Sequence, residues 1–599
     1  MSKKLNAMIS LAILLVSSNF VVFQVHAAAP TDTFAVGWNG PPMDTINPML
    51  VTVYDGGAYM VNHAMYDKLV QADSNGDPAP DLADSWEWKD AQTVVFHLVR
   101  NATWHDGVPF TAADAEFTIN LIVANKDFFP LMRTYVTSVD SAKALDDYTL
   151  QINLKNPDAK FLQASLIMTY IVPKHIWEKV GNYTSYANEN PIGTGPFKFV
   201  RWEPNSFVEF DANPDYFRGP PHVKHLTMRY FSSVNAMILA LQSGEIHATG
   251  PILPPTVVPL MTSNPGIQVI SRPDLRYYYF NFNAFANGTG NPTLRDERVR
   301  RALAYAIDKK TLAQTVWQGF ADVLNSIMPT ALGKWHNPNT PDIPFDLDKA
   351  AQMLDEAGYK VGADGIRISP DGVKMIYKIQ VPSSYQEELR AAQMVAEWWS
   401  KINVKGIPEL VEVGALGDIV VNWKHDTFIW VWSATSTDPD DFLLVFTTEQ
   451  ICVPGCMSDS GFSDPEYDQL YQQQLQATDA VQRQQIVWKM QDIVAEHVPY
   501  VPLYNNYAIQ GFRSDLFTGL PQGIVPPVSQ FAGNNLFVNV RPVVPVTTET
   551  TQMTTQITTQ TTTTQAEVIP TATIAAVIVI VIVLALVGVL LMRRRKPAS

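Results

Sequence analysis

His105 and Asp106 are adjacent residues of the types that pass protons in general acid–base catalysis. Gly107 follows them, and Asp-Gly between two strand-like segments is a turn signal, so the pair reads first as a turn. Asp73-Ser74-Asn75-Gly76-Asp77 spaces its oxygens like the start of a calcium loop, but Pro78 stands where that loop needs glycine. It too reads as a turn. The two cysteines, Cys452 and Cys456, enclose Val453-Pro454-Gly455. Outside a cell that spacing closes a small disulfide, and a metal site would need more soft ligands than the segment holds. The patterns G-x-S-x-G, H-E-x-x-H and G-x-x-x-x-G-K-[ST] do not occur. Neither catalysis nor a cofactor nor a metal site is expected.

The elements that would carry these residues alternate without regular phase, which predicts an α/β protein. A short strand begins over 33–36, and 81–100 reads as a hairpin that includes the strand Thr93–Leu98. Thr111 can cap a helix starting ADAEFTINLIV. Asp296 opens another, ERVRRALAYAI, with Val299, Leu303, Ala306 and Ile307 on one face. Ser463-x-x-Glu466 reads as a capping box ahead of two helices reaching His497. Pro499 stops the second, and VPLYNNYAI returns as a strand.

Both ends of the chain look like targeting segments. Lys3-Lys4 precede an apolar stretch over 11–23, and Val25-His26-Ala27-Ala28-Ala29 offers small residues for cleavage, so 1–29 reads as a secretory signal. A threonine/glutamine stalk (543–570) leads to an unbroken apolar run, 574–592, and then to Arg593-Arg594-Arg595-Lys596. About 19 apolar residues rising ~1.5 Å each reach ~28 Å, enough to cross a bilayer. The basic cluster marks the cytoplasmic side. The expectation is a single-pass protein of the cell membrane, with a large extracellular domain and a cytoplasmic tail (593–599). Asn101, Asn182 and Asn287 each head an Asn-x-Thr tripeptide and are candidate glycosylation sites.

What remains is too long for one core and implies two or three lobes. The full sequence is 46% hydrophobic, as expected of a chain that folds. A net charge of −15 argues against a nucleic-acid partner.

LADSWEW (82–88) and FHLVRNATWHDGVPFTAADAEFT (96–118) resemble the signature of family 5 extracellular solute-binding proteins, the peptide/nickel class that feeds ABC importers. PIGTGPFKFVRWEPN, NPDYFRGPPHVKHLTMRYF, ALQSGEIHAT, LRDERVRRALAYAIDKKTL, DLDKAAQMLDEAGY, DPEYDQLY and VPYVPLYNN extend the resemblance, in order, over nearly the whole extracellular part. It implies a two-lobed periplasmic-binding-protein-like fold of type II with an extra domain. Lobe I would comprise 31–60, 191–274 and 499–540, the extra domain 61–190, and lobe II 275–498. The C-terminal anchor resembles the archaeal-type arrangement. The implied role is capture of a small solute in an interlobe cleft for a permease whose ATPases are separate chains. A membrane-anchored hydrolase of the same polymers is the alternative.

The resemblance also bears on the ligand. Peptide-binding members carry, three residues after a tryptophan, an aspartate that captures the peptide's ammonium. Here Trp432 is the tryptophan and Thr435 occupies the aspartate's position. A hydroxyl accepts a hydrogen bond but cannot neutralise an ammonium. Asp438 could substitute by a local shift, although Asp-Pro also reads as a turn. Dipeptide binders place an arginine before a helix resembling AAQMVAEWW, and IQVPSSYQ contains none. With both charges missing, a neutral oligosaccharide is expected ahead of an oligopeptide. Trp423, Trp430, Trp432 and Tyr277-Tyr278-Tyr279-Phe280 supply aromatic faces, although about half the aromatics of an alternating strand such as FIWVW should be core. Trp432 is the first pocket candidate, with Tyr279, Asn281 and Asn283 behind it.

Overall fold

The computed structural model describes residues 32–543, apart from 41–42, 52–55, 126–134, 251–252, 453–455, 524–525 and 530–531. The expected signal segment, the stalk beyond Val543, the apolar run 574–592 and the basic tail lie outside the described residues. Within the described residues, no helix is long and apolar enough to cross a membrane.

Strand alternation organises the larger sheet. Along Arg276–Phe282 successive side chains take opposite faces. Tyr278, Phe280 and Phe282 enter one core with Leu303, Trp399 and Leu503, while Tyr277 and Tyr279 enter another with Phe428, Phe446 and Tyr500. The strand order is Lys405–Val411, Ile376–Pro382, Thr427–Ser433, Arg276–Phe282, Tyr500–Arg513, Ala248–Gly250, Thr33–Trp38, His225–Tyr230, Phe207–Ala212 and Phe197–Glu203. Ile267–Pro273 and Ala321–Val323 also pair with Tyr500–Arg513.

Tyr500–Arg513 belongs to both lobes. Its first half pairs with Arg276–Phe282 in lobe II, and Tyr507 to Arg513 pair with Ile267–Pro273 in lobe I. The lobes therefore join where Asp274 and Leu275 run beside Asn505 and Asn506. Asn505 clasps this junction. Its Nδ2 donates to the carbonyls of Asp274 (2.8 Å) and Arg276 (2.7 Å), and its Oδ1 accepts from the backbone and hydroxyl of Thr330 (3.1 and 2.8 Å). One buried amide, carried by one crossover strand, thus bonds the other strand and Thr330 at once.

The added domain is a four-stranded antiparallel sheet in the order Ala83–Trp88, Thr93–Leu98, Thr149–Leu154, Val139–Asp146, with helix Ala112–Ala124 against it. Phe96 and Ile152 of this sheet share one continuous core with Phe34, Phe197 and Leu226 of lobe I. The expected boundary at residue 61 instead cuts the helix Gly56–Met65, whose Tyr59, Ala64 and Met65 lie in that core.

Helix starts follow capping chemistry. The Thr111 backbone N–H donates to Asp114 Oδ2 at 3.0 Å, and Asp296 caps Glu297–Tyr305 by accepting from Arg298 N. The third start differs from expectation. Asp464, not Ser463, caps Pro465–Gln476, accepting from Tyr467 N at 2.7 Å, while the Ser463 hydroxyl bonds Thr448. Pro465 explains the shift, since proline favours the first helical position and so places the cap one residue before it.

Candidate functional site

The loop after strand Thr427–Ser433 meets the added domain. Thr437 Oγ1 donates to the Gly76 carbonyl (2.6 Å), and Gln163 Nε2 donates to the carbonyls of Gly76 and Thr437 (3.0 and 3.1 Å). Lys334 of lobe II pairs with Asp77 at 2.5 Å, and Lys160 of the added domain pairs with Asp440. Asp73 to Asp77, read above as a turn, is one. Asp73 Oδ1 accepts from the backbones of Asn75 and Asp77, and buried Gly76 docks on Thr437.

Within this seam Thr435 is not alone. Its backbone N–H donates to Asp441 Oδ2 at 2.7 Å, and its hydroxyl lies 3.0 and 3.1 Å from the two Asp441 oxygens. Both residues are half-buried. The chain returns over six residues to set a carboxylate at the position where the hydroxyl had suggested neutrality. Burial pushes the Asp441 carboxyl up to about 6, with Thr435 holding it down and Asp440 adding to the rise. Tyr135 and Lys160, from outside lobe II, lie close enough to interact with this charge.

Asp438 does not substitute for the missing aspartate. It is fully buried, and both its oxygens are taken by Arg483, at 2.6 and 2.8 Å. Asp440 is likewise engaged, by Lys160, Tyr471 and Gln474. Asp158 completes the group, lying near Lys160 and Asp438. Among the described residues of this cluster, Asp158, Asp438, Asp440 and Asp441 outnumber the cations Lys160 and Arg483. The acidic surplus falls at Asp441, whose hydrogen-bond donors among the described residues come from Thr435.

The other candidates separate by depth. Trp432 is half-buried, donating from its indole to Tyr500 Oη at 3.2 Å with its ring parallel to Tyr279 at 6.3 Å. Tyr279, Asn281 and Asn283 are buried within lobe II. Tyr279 stacks on Tyr500 (4.3 Å) and donates to Asp459 Oδ2 (2.6 Å). Asn281 Nδ2 donates to Asp459, and Asn283 Nδ2 donates to the carbonyls of Trp423 and His425. Their amides hold the loops around 423–426 and 458–460, which leaves them little capacity for a ligand. Burial raises the Asp459 carboxyl to about 7 and lowers His425 to about 3, so that imidazole stays neutral. Trp423 is also core, 1% exposed with its indole on the Cys452 carbonyl.

Cys452 and Cys456 are joined by a disulfide. His105 is a strut rather than a base. Its Nδ1 accepts from Gly193 N (3.2 Å) and its Nε2 bonds the Gly195 carbonyl (3.0 Å), while Asp106 pairs with His175. Gly193 and Gly195 are required there, because a Cβ on either would lie 1.8 or 2.5 Å from the Met65 backbone. Asn101, Asn182 and Asn287 are exposed, and Asn101 Nδ2 donates to the Phe217 carbonyl.

Residues 77–451 match the family of bacterial extracellular solute-binding proteins, family 5 Middle. The chain belongs to this family. The oligopeptide-binding protein AppA of Bacillus subtilis is 27% identical to it over 466 residues, 76% of this chain and 83% of that protein. Two solved structures are similar in fold. One is NikZ from Campylobacter jejuni in complex with Ni(L-His) (TM-score 0.71, 24% identity, 86% of this chain and 100% of that one). The other is a mannohexaose-bound oligopeptide-binding protein from Thermotoga maritima (TM-score 0.66, 21% identity, 86% and 99%). This family 5 protein is therefore the substrate-binding subunit of an ABC importer, with the two-lobed periplasmic-binding-protein fold, and it works by binding rather than catalysis.

Proposed function

We propose that this family 5 protein captures an oligopeptide with a free amino terminus, and that Asp441, held in place by Thr435, receives the ammonium. The supporting observation is a half-buried carboxylate that, among the described residues, has no ion-pair partner of its own, Lys160 being paired with Asp440, in a cluster with surplus negative charge. A peptide ammonium would neutralise it, whereas a neutral sugar would leave it buried and unpaired, at a cost of about 3–5 kcal/mol. The name of the AppA relative agrees with a peptide. Trp432, beside this loop, would offer its exposed edge to the first side chain. The anchor at 574–592, the archaeal-type arrangement, an extracellular location and glycans on Asn101, Asn182 and Asn287 belong to the same proposal.

Tryptophan-fluorescence titration of the full-length chain tests it. Trialanine and pentaalanine should saturate, and their N-acetylated forms should bind far more weakly. Tight binding of mannohexaose with no peptide response would overturn the reading.

A further inference from the structure

Arg276 opens its strand directly after the crossover at Leu275, and its Nε faces the Asp274 carboxylate. Its side chain is 31% exposed, and neither terminal guanidinium nitrogen has a protein partner among the described residues. Ser433 lies opposite it in the strand register, so Arg276 stands at the same edge of lobe II as Thr435, two residues further on.

A second polar group shares that place. Asn506 is 1% exposed, and neither atom of its side-chain amide has a hydrogen-bond partner among the described residues. The register fixes which way it faces. Tyr278 pairs with Tyr504, their rings 5.4 Å apart, so one alternation outward on each antiparallel strand brings Arg276 and Asn506 to the same face. An orphaned amide inside a protein is costly unless water or ligand completes it. Guanidinium forks match carboxylates. Glu388, beneath on the same face, bonds Tyr504 and Trp317 and is raised to about 8 by burial, so near neutral pH it does not compete as an anion.

We propose that Arg276, assisted by the Asn506 amide, forms an anion subsite at the hinge that holds the carboxylate of the bound peptide. This rests on the peptide reading above and supplies from a hinge strand the positive charge that the segment before helix Gln386–Lys401 lacks. Asp274 orients Arg276 through Nε, and the ligand carboxylate takes the two remaining nitrogens.

The test is calorimetry on the full-length chain with trialanine and pentaalanine, each as free acid and as C-terminal amide, all with free amino termini. Amidation should weaken binding to the native protein by about tenfold to a hundredfold. Arg276→Gln should bring acid and amide to equal affinity while leaving the effect of N-acetylation intact, and Arg276→Lys should restore part of the discrimination. If Arg276→Gln fails to fold because Asp274 is left unpaired, Asp274→Asn with Arg276→Gln removes both charges and should give the same equality. Equal binding of acid and amide by the native protein, or discrimination that survives in Arg276→Gln, overturns the subsite. An N-acetylation effect without an amidation effect would leave Asp441 standing and remove Arg276; the reverse would remove Asp441 and keep Arg276. Failure to bind any of the peptides would remove both.

Discussion

Thr435 illustrates how a residue type can mislead when its neighbour is set by the fold. Read by itself it removes a charge; read with Asp441 2.7 Å from its backbone, it positions one. The pairing was not legible because it depends on a return of the loop through Pro439, and no periodicity encodes that return. An acid-rich start to the short helix Asp440–Leu443 was the available signal. Asp441→Asn should weaken binding of peptides with free amino termini by about tenfold to a hundredfold, with acetylated peptides unchanged, as read by calorimetry. The same residue sets a pH dependence. Burial pushes its carboxyl up to about 6 and a bound ammonium would hold it lower, so affinity should fall as pH drops through 6. A flat profile in Asp441→Asn would assign that fall to this group.

At the level of elements, sequence patterns were legible where local chemistry decides the outcome. The strand after Pro499, the hairpin before Arg100 and the caps at Thr111 and Asp296 needed only alternation and a polar side chain at the right offset. Where two caps competed, at Ser463 and Asp464, the proline decided. Tyr279, Asn281 and Asn283 were not legible because a strand buried on both sides offers no polar face to mark the cleft. The turn at Asp73 to Asp77 had no visible role until its contact with lobe II appeared. Gly76 has φ +79°, and a Cβ there would come within 3.0 Å of Thr437. Gly76→Val should therefore weaken the seam between lobe II and the added domain. Peptide affinity should drop several-fold, and small-angle scattering of the ligand-bound form should shift toward that of the empty protein. An unchanged affinity would mean the contact contributes nothing to closure.

For the molecule as a whole, the family motifs carried the two-lobed architecture, because they span both lobes in order. The hinge bonding did not follow from them. Buried carboxyls give the molecule a common pH response. Glu388 is raised to about 8 and Asp459 to about 7 by burial. A carboxyl with a folded pKa above its unfolded value contributes stability that is complete below the unfolded value and lost as pH rises through the folded one. Buried His105 and His425, lowered to about 4 and 3, act oppositely, favouring the folded state until pH falls below about 6.5. Thermal midpoints should therefore peak near pH 6 and decline toward 8, and Glu388→Gln should flatten the decline; a midpoint still rising at pH 8 would contradict this balance.

The described chain leaves through lobe I. Phe517, Leu536 and Val540 pack in its core, Arg541–Pro542 pairs with Phe517–Thr518, and Val543 N–H donates to the Leu516 carbonyl. The last described residues are thus fastened to one jaw alone. A pull applied at Val543 would load the lobe I core and its strand pairing before it reached the crossover at Asn505.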